Sequence, residues 1–178
     1  MNTSLFHAFK LLSAAGVIAG LMLIGVTESS AQQKAKTMKE QLVGTWTLVS
    51  ADTVGKDGSK SPNFGPNPKG MLIFEANGRY SAMLMSSGRP KFASNNRAKG
   101  TPEENKAAVQ GSIAFFGTYS VDEATKTLMS RVEGSTFPNS EGGVQKRTIT
   151  RLTANEFKYI NPATTTGETA EAVWKRVK

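Results

Sequence analysis

The sequence predicts a mainly β domain, an eight-stranded antiparallel up-and-down barrel with one short helix. Three observations predict it. Eight short runs rich in β-branched, aromatic or alternating residues follow one another between Gly, Pro, Asn and Asp punctuation. One segment carries strong helix-start signals. Gly44-Thr45-Trp46 heads the first run, as suits a strand entering a barrel at its closed end, where backbones crowd and one large side chain plugs the floor. A two-sheet sandwich is the alternative arrangement of the same strands.

The chain opens with a segment holding a single lysine, Lys10, before an apolar run over residues 11–26 and then Thr27-Glu28-Ser29-Ser30-Ala31-Gln32. That order is expected of a signal peptide. Ser29 and Ala31 place small side chains three and one residues before a cut after Ala31, so residues 1–31 are expected to be removed and the product to be periplasmic or secreted. The apolar run is shorter than the ~20 residues a membrane span needs, so no stable span is expected after cleavage; an uncleaved anchor is the competing reading. Residues 32–41, with Lys34, Lys36 and Lys39, read as a flexible linker or one helical turn, and residues 42–178 as the barrel domain.

The leader contains one Lys and one Glu, so the formal charge of +8 stays with the mature chain. Its cations are scattered along the sequence, which speaks against a nucleic-acid partner. There is no cysteine, and the single histidine, His7, lies in the leader. The mature chain therefore has no His for a triad, no His or Cys metal ligand and no thiol nucleophile, and no metal or cofactor is implied. Oligomeric state is open.

In order, residues 44–52 alternate, with Trp46, Leu48 and Ser50 on one face and Thr45, Thr47, Val49 and Ala51 on the other. Prolines and glycines over residues 57–70 read as a long loop, in which Phe64 either folds across a barrel mouth or packs on its rim. Residues 71–75 and 80–86 flank Asn77-Gly78, a hairpin signal. A tight turn there groups Leu72, Phe74, Ser81, Met83 and Met85 on one face and Met71, Ile73, Tyr80, Ala82 and Leu84 on the other, so both faces are apolar and something should cover the outer one. A helix over about residues 102–111, opened by the capping box Thr101-Pro102-Glu103-Glu104, is the candidate cover. Strands follow at 113–122, 127–133, 144–152, 156–161 and 170–177, with Gly117 allowing a bulge.

Several ordered segments resemble the bacterial lipocalin-like domain family, a branch of the calycin-type barrels. They are Leu42-Val43-Gly44-Thr45-Trp46-Thr47-Leu48-Val49-Ser50, Phe64-Gly65-Pro66-Asn67-Pro68-Lys69-Gly70, the hairpin around Asn77-Gly78-Arg79, and Gly100-Thr101-Pro102-Glu103-Glu104. Phe116-Gly117-Thr118-Tyr119-Ser120-Val121-Asp122, Val132-Glu133-Gly134-Ser135-Thr136-Phe137-Pro138-Asn139, Gln145-Lys146-Arg147 and Val173-Trp174-Lys175-Arg176-Val177 complete the set. The resemblance implies a barrel that binds a small hydrophobic or amphipathic molecule. It also implies a floor in which Trp46 lies across the barrel and Arg176 packs on its ring, with Trp174 as a competing plug.

Barrels of eight strands are just wide enough to hold one small ligand or a filling of side chains. Candidate contacts are Phe64, Phe74, Met83 and Tyr119, together with Glu133 and Arg147, which a hairpin between their strands could set opposite each other as a polar anchor. Met71, Met85, Met129 and Tyr80 could line the same cavity or be plain core. If the barrel is an enzyme of the isomerase or cyclase type, Glu133 or Tyr119 would move the proton. A filled, non-catalytic scaffold is the third reading, and a cavity above ~300 Å³ speaks against it. A register slip of one residue exchanges inward and outward sets, so these placements depend on the pairing.

Overall fold

The computed structural model describes residues 35–178, and the expected signal peptide with its cleavage site lies outside the described residues. Alternation of apolar and polar side chains builds β1 (Gly44–Val54), β2 (Lys60–Pro62), β3 (Lys69–Phe74), β4 (Arg79–Met85), β5 (Ser112–Asp122), β6 (Thr127–Ser135), β7 (Val144–Leu152), β8 (Glu156–Asn161) and β9 (Ala170–Arg176). All pairings are antiparallel, β3 to β9 run in sequence order, and β9 returns to β1. The result is the closed eight-stranded barrel expected from the sequence, with β2 as an extra strand. Closure leaves no open edge among the eight.

The extra strand corrects the reading of residues 57–70 as wholly irregular. Lys60 to Pro62 pair with Val54 to Asp52 along the far part of β1. Proline is compatible with a short edge strand, where its missing N–H costs nothing if it faces away from the ladder.

Two α-helices flank the strands. The expected one, α2 (Pro102–Gln110), has Thr101 and Glu104 capping each other reciprocally and proline in its first turn. It buries none of its residues, so it does not cover the hairpin as the apolar pattern suggested. The other, α1 (Met38–Leu42), starts in the stretch read as a flexible linker or one helical turn and ends on the first residue of the barrel domain. It has its own capping box, Thr37 with Glu40, and the Glu123 carboxylate accepts the Met38 and Lys39 N–H groups at 2.9 and 3.1 Å. Leu42, its last residue, is fully buried.

The β3–β4 register also differs from expectation, and the turn explains why. Asn77-Gly78 is not a two-residue loop: Gly78 N–H donates to Glu75 O at 3.0 Å and Glu75 N–H to Arg79 O at 2.9 Å, with only Gly78 at positive φ, 88°. This is a three-residue loop ending in a glycine bulge. The extra residue pairs Phe74 with Tyr80 and Leu72 with Ala82. Leu72, Phe74, Tyr80, Ala82 and Leu84 are buried together, while Met71 pairs with Met83 on the outside. The hairpin therefore has one apolar inner face and a methionine-dressed outer one.

Candidate functional site

Loop lengths divide the barrel into two ends. Turns at residues 75–78, 123–126 and 153–155 close one end beside α1, and the longer connections at 55–68, 136–143 and 162–169 lie at the other. The closed end is filled. Trp46, Phe157 and Trp174 are fully buried and Phe74 nearly so; Phe157 sits 5.7 Å from Trp46 and 6.1 Å from Phe74, centroid to centroid, and Phe74 lies 4.7 Å from Tyr119.

Arg176 seals that floor. Its guanidinium lies 4.0 Å from the Trp46 ring centroid and donates to Ala154 O at 2.6 Å, Val43 O at 2.7 Å and Gln41 O. Burial lowers its pKa. A Cβ on Gly44, whose φ is 126°, would meet Arg176 Nη1 at 2.7 Å. The glycine two residues before the tryptophan thus leaves room for the arginine that stacks on it. Trp46 Nε1 donates to Leu42 O at 2.8 Å, whereas the Trp174 indole N–H is buried without a partner. Of the two tryptophans, Trp46 is the one built into the floor by polar contacts.

At the other end the barrel holds a cavity of about 330 Å³. Ala51, Leu84, Ile113, Phe115 and Ala172 give it apolar walls, and Phe64 and Phe137 stand at its rim with Asn63, Asn139 and Thr164. A register shift in β1 between Leu48 and Ser50 turns Ala51 inward, against the simple alternation read from the sequence. Its small side chain, with that of Ala172, keeps the space open.

Arg147 forms the inner limit of this cavity. It borders both the large cavity and a void of about 10 Å³ deeper in the core, lined among others by Phe74, Tyr80 and Ser130. The residue is only 6% exposed. Its guanidinium carbon lies 5.6 Å from the Phe115 ring centroid and 5.4 Å from that of Tyr159, and Nη2 donates to Gln145 Oε1. It makes no ion pair among the described residues. The Tyr80 hydroxyl is buried beside Ser130; burial, the largest effect, raises its pKa, and the Arg147 charge and the Ser130 hydroxyl oppose the rise.

The predicted site residues are not brought together as a set. Phe64 and Arg147 line the cavity. Phe74 is core and reaches only the small void. Tyr119 is buried at the closed end, its hydroxyl donating to Glu75 O at 3.0 Å beneath Lys39, and burial raises its pKa. Met83 faces outward, and neither Met71, Met85 nor Met129 lines the cavity.

Glu133 requires the sharpest correction. The ladder pairs Arg147 with Leu128 and Arg131 with Val144, so Glu133 lies beyond the paired part of β7 and points outward. There it forms a half-exposed ion pair with Arg79 at 2.7 Å. The expected Glu133–Arg147 anchor does not exist, and neither Glu133 nor Tyr119 reaches the cavity as an acid or base.

Sequence reasoning missed Gln145, Phe115, Tyr159 and Asn161, which also line the cavity. The signal was present in the parity of the strands. Gln145, Arg147 and Ile149 share a face of β7, as Phe157, Tyr159 and Asn161 do on β8, and Ile149 and Phe157 are natural core residues.

A family model described as a lipocalin-like domain matches residues 43–177. Among solved structures, a lipocalin-like protein from Bacteroides uniformis ATCC 8492 is similar at 13% identity, covering 77% of this chain and 99% of that one, with a TM-score of 0.43. A de novo designed fluorescence-activating β-barrel is similar at 10% identity, covering 80% and 100% of the two chains, with a TM-score of 0.41. A redesigned β-barrel bound to DFHBI follows at 18% identity, 79% and 100% coverage and a TM-score of 0.40. No curated protein matches the chain.

Proposed function

The chain belongs to the lipocalin-like domain family, and from that premise we propose that its barrel binds one small hydrophobic or amphipathic molecule in the cavity at its mouth. The observation that carries this reading is the pairing of about 330 Å³ of space with walls that are more apolar than polar. Small-molecule sites of roughly 300–1,000 Å³ have this character, with apolar surface supplying affinity and a few polar groups fixing orientation. The same volume speaks against the filled-scaffold reading. The outward position of Glu133 and the burial of Tyr119 at the closed end leave the isomerase or cyclase reading without either of the acid–base groups it was built on. The leader-like composition of residues 1–31 supports export, so the proposed setting is the periplasm or the exterior.

A neutral fluorescent probe tests the reading. N-phenyl-1-naphthylamine should bind the wild-type protein saturably at one site per chain. Ala51→Phe, which places a ring in the cavity, should abolish that binding while the far-ultraviolet dichroism stays that of the wild type. Equal binding by the two folded proteins, or no saturable binding by the wild type, would overturn the reading.

A further inference from the structure

We propose that the bound molecule is an acid, with a single carboxylate seated on Arg147 and an apolar body extending toward the mouth. This deepens the reading above and rests on it.

Among the described residues, Arg147 is the sole cation lining the cavity. A guanidinium stays charged at any pH a protein survives, and burying a charge without a counter-ion is costly. No carboxylate among the described residues forms an ion pair with this one. The one acidic residue at the cavity, Glu171, has its carboxylate held by Lys60 and by Lys158, the latter at 2.9 Å. A neutral ligand would shut Arg147 further away from water and leave its charge uncompensated. An anion would supply what is missing.

The geometry narrows the kind of anion. The guanidinium carbon lies 5.6 and 5.4 Å from the ring centroids of Phe115 and Tyr159, while the only hydrogen bond it makes among the described residues is Nη2 to Gln145 Oε1. An arginine has five N–H donors in a fork that matches a carboxylate, so most of this fork has no acceptor among the described residues. Arg147 borders the cavity, which gives a ligand there access to the fork. Gln145 is oriented by the same bond. With its oxygen on Arg147, its amide NH₂ remains as a second donor at the cavity. One cation and a neutral amide suit one negative charge, which favours a carboxylate over a doubly charged phosphate.

Displacement of N-phenyl-1-naphthylamine by matched pairs provides the test: octanoate against octan-1-ol, and 2-naphthoate against 2-naphthalenemethanol, at pH 7.5. Wild-type protein should bind each acid about tenfold to a hundredfold more tightly than its alcohol, the range expected for hydrogen bonds to a charged group. Arg147→Met should bring the acids to the level of the alcohols or below. Alcohols binding as well as acids to the wild type would overturn this inference and leave the cavity reading standing; failure of the probe and of all four compounds would overturn both. An acid preference that survives in Arg147→Met would remove Arg147 from the role. Should that variant fail to fold, the acid-to-alcohol ratio in the wild type still decides the ligand class.

Discussion

Two arginines stack on aromatic rings at opposite ends of one barrel, and they differ in how many of their donors the protein uses. Arg176 lies over Trp46 and gives N–H groups to three backbone carbonyls, those of Gln41, Val43 and Ala154. It ties the start of β1 and the β7–β8 turn to the last strand. Arg147 lies within cation–π reach of both Phe115 and Tyr159 and gives one N–H to a side-chain amide. The same chemistry makes a three-point cross-link in one place and, in the other, leaves most of the donors without a protein acceptor among the described residues. What separates structure from site is therefore the number of donors left over.

The largest effect should come from the filled end. Trp46→Ala should destabilise the fold by about 3–5 kcal/mol, the usual cost of emptying a large aromatic site, read by urea denaturation. Arg176→Ala should cost about 2–3 kcal/mol, because it leaves carbonyls at the floor without their donor. Arg147→Met, by contrast, should change stability by less than about 1 kcal/mol, since it removes a buried charge without a counter-ion and strands only the amide oxygen of Gln145, which borders the cavity. If the two arginine variants were equally destabilised, the contrast between the ends would collapse.

Acid should act on the mouth. Burial is the largest influence on the Glu171 carboxyl and raises its pKa, but Lys60 and Lys158 together outweigh it and hold the value below 4.5. A depressed carboxylate pKa contributes stability that is present above the unfolded value and is lost as pH falls through the folded one. Melting temperature should therefore drop between about pH 5 and pH 3, and Glu171→Gln should flatten that part of the profile. A profile of unchanged slope in the variant would show that the lysine pair contributes nothing. The smallest effect belongs to Glu133→Gln, which breaks only a half-exposed ion pair and should cost about 0.2–1 kcal/mol, with probe binding at the cavity unaltered.

The fold was legible in the sequence because its signals are local. The capping box at Thr101, the strand at residues 144–152 and the turn chemistry between strands depend on neighbours in the chain, and the helix and strands fall where those signals lie. The site was less legible because it depends on parity, and parity is reset by single residues. One additional residue in the turn before Arg79 moved Met83 outside and Tyr80 inside. One irregularity after Leu48 brought Ala51 into the cavity. The pairing of Arg147 with Leu128 put Glu133 out of reach, a long-range register that neither strand specifies alone. Arg147 itself was within reach of the sequence, since it alternates with Ile149 on a strand whose apolar side must face the core.

The division of labour between the two arginines is tested most directly by proton–nitrogen spectra of the arginine side chains during a titration with octanoate. Octanoate should shift the Arg147 Nε–H resonance saturably and leave that of Arg176 in place. Saturable binding of octanoate with Arg147 unmoved, or with Arg176 shifted in its stead, would contradict the account.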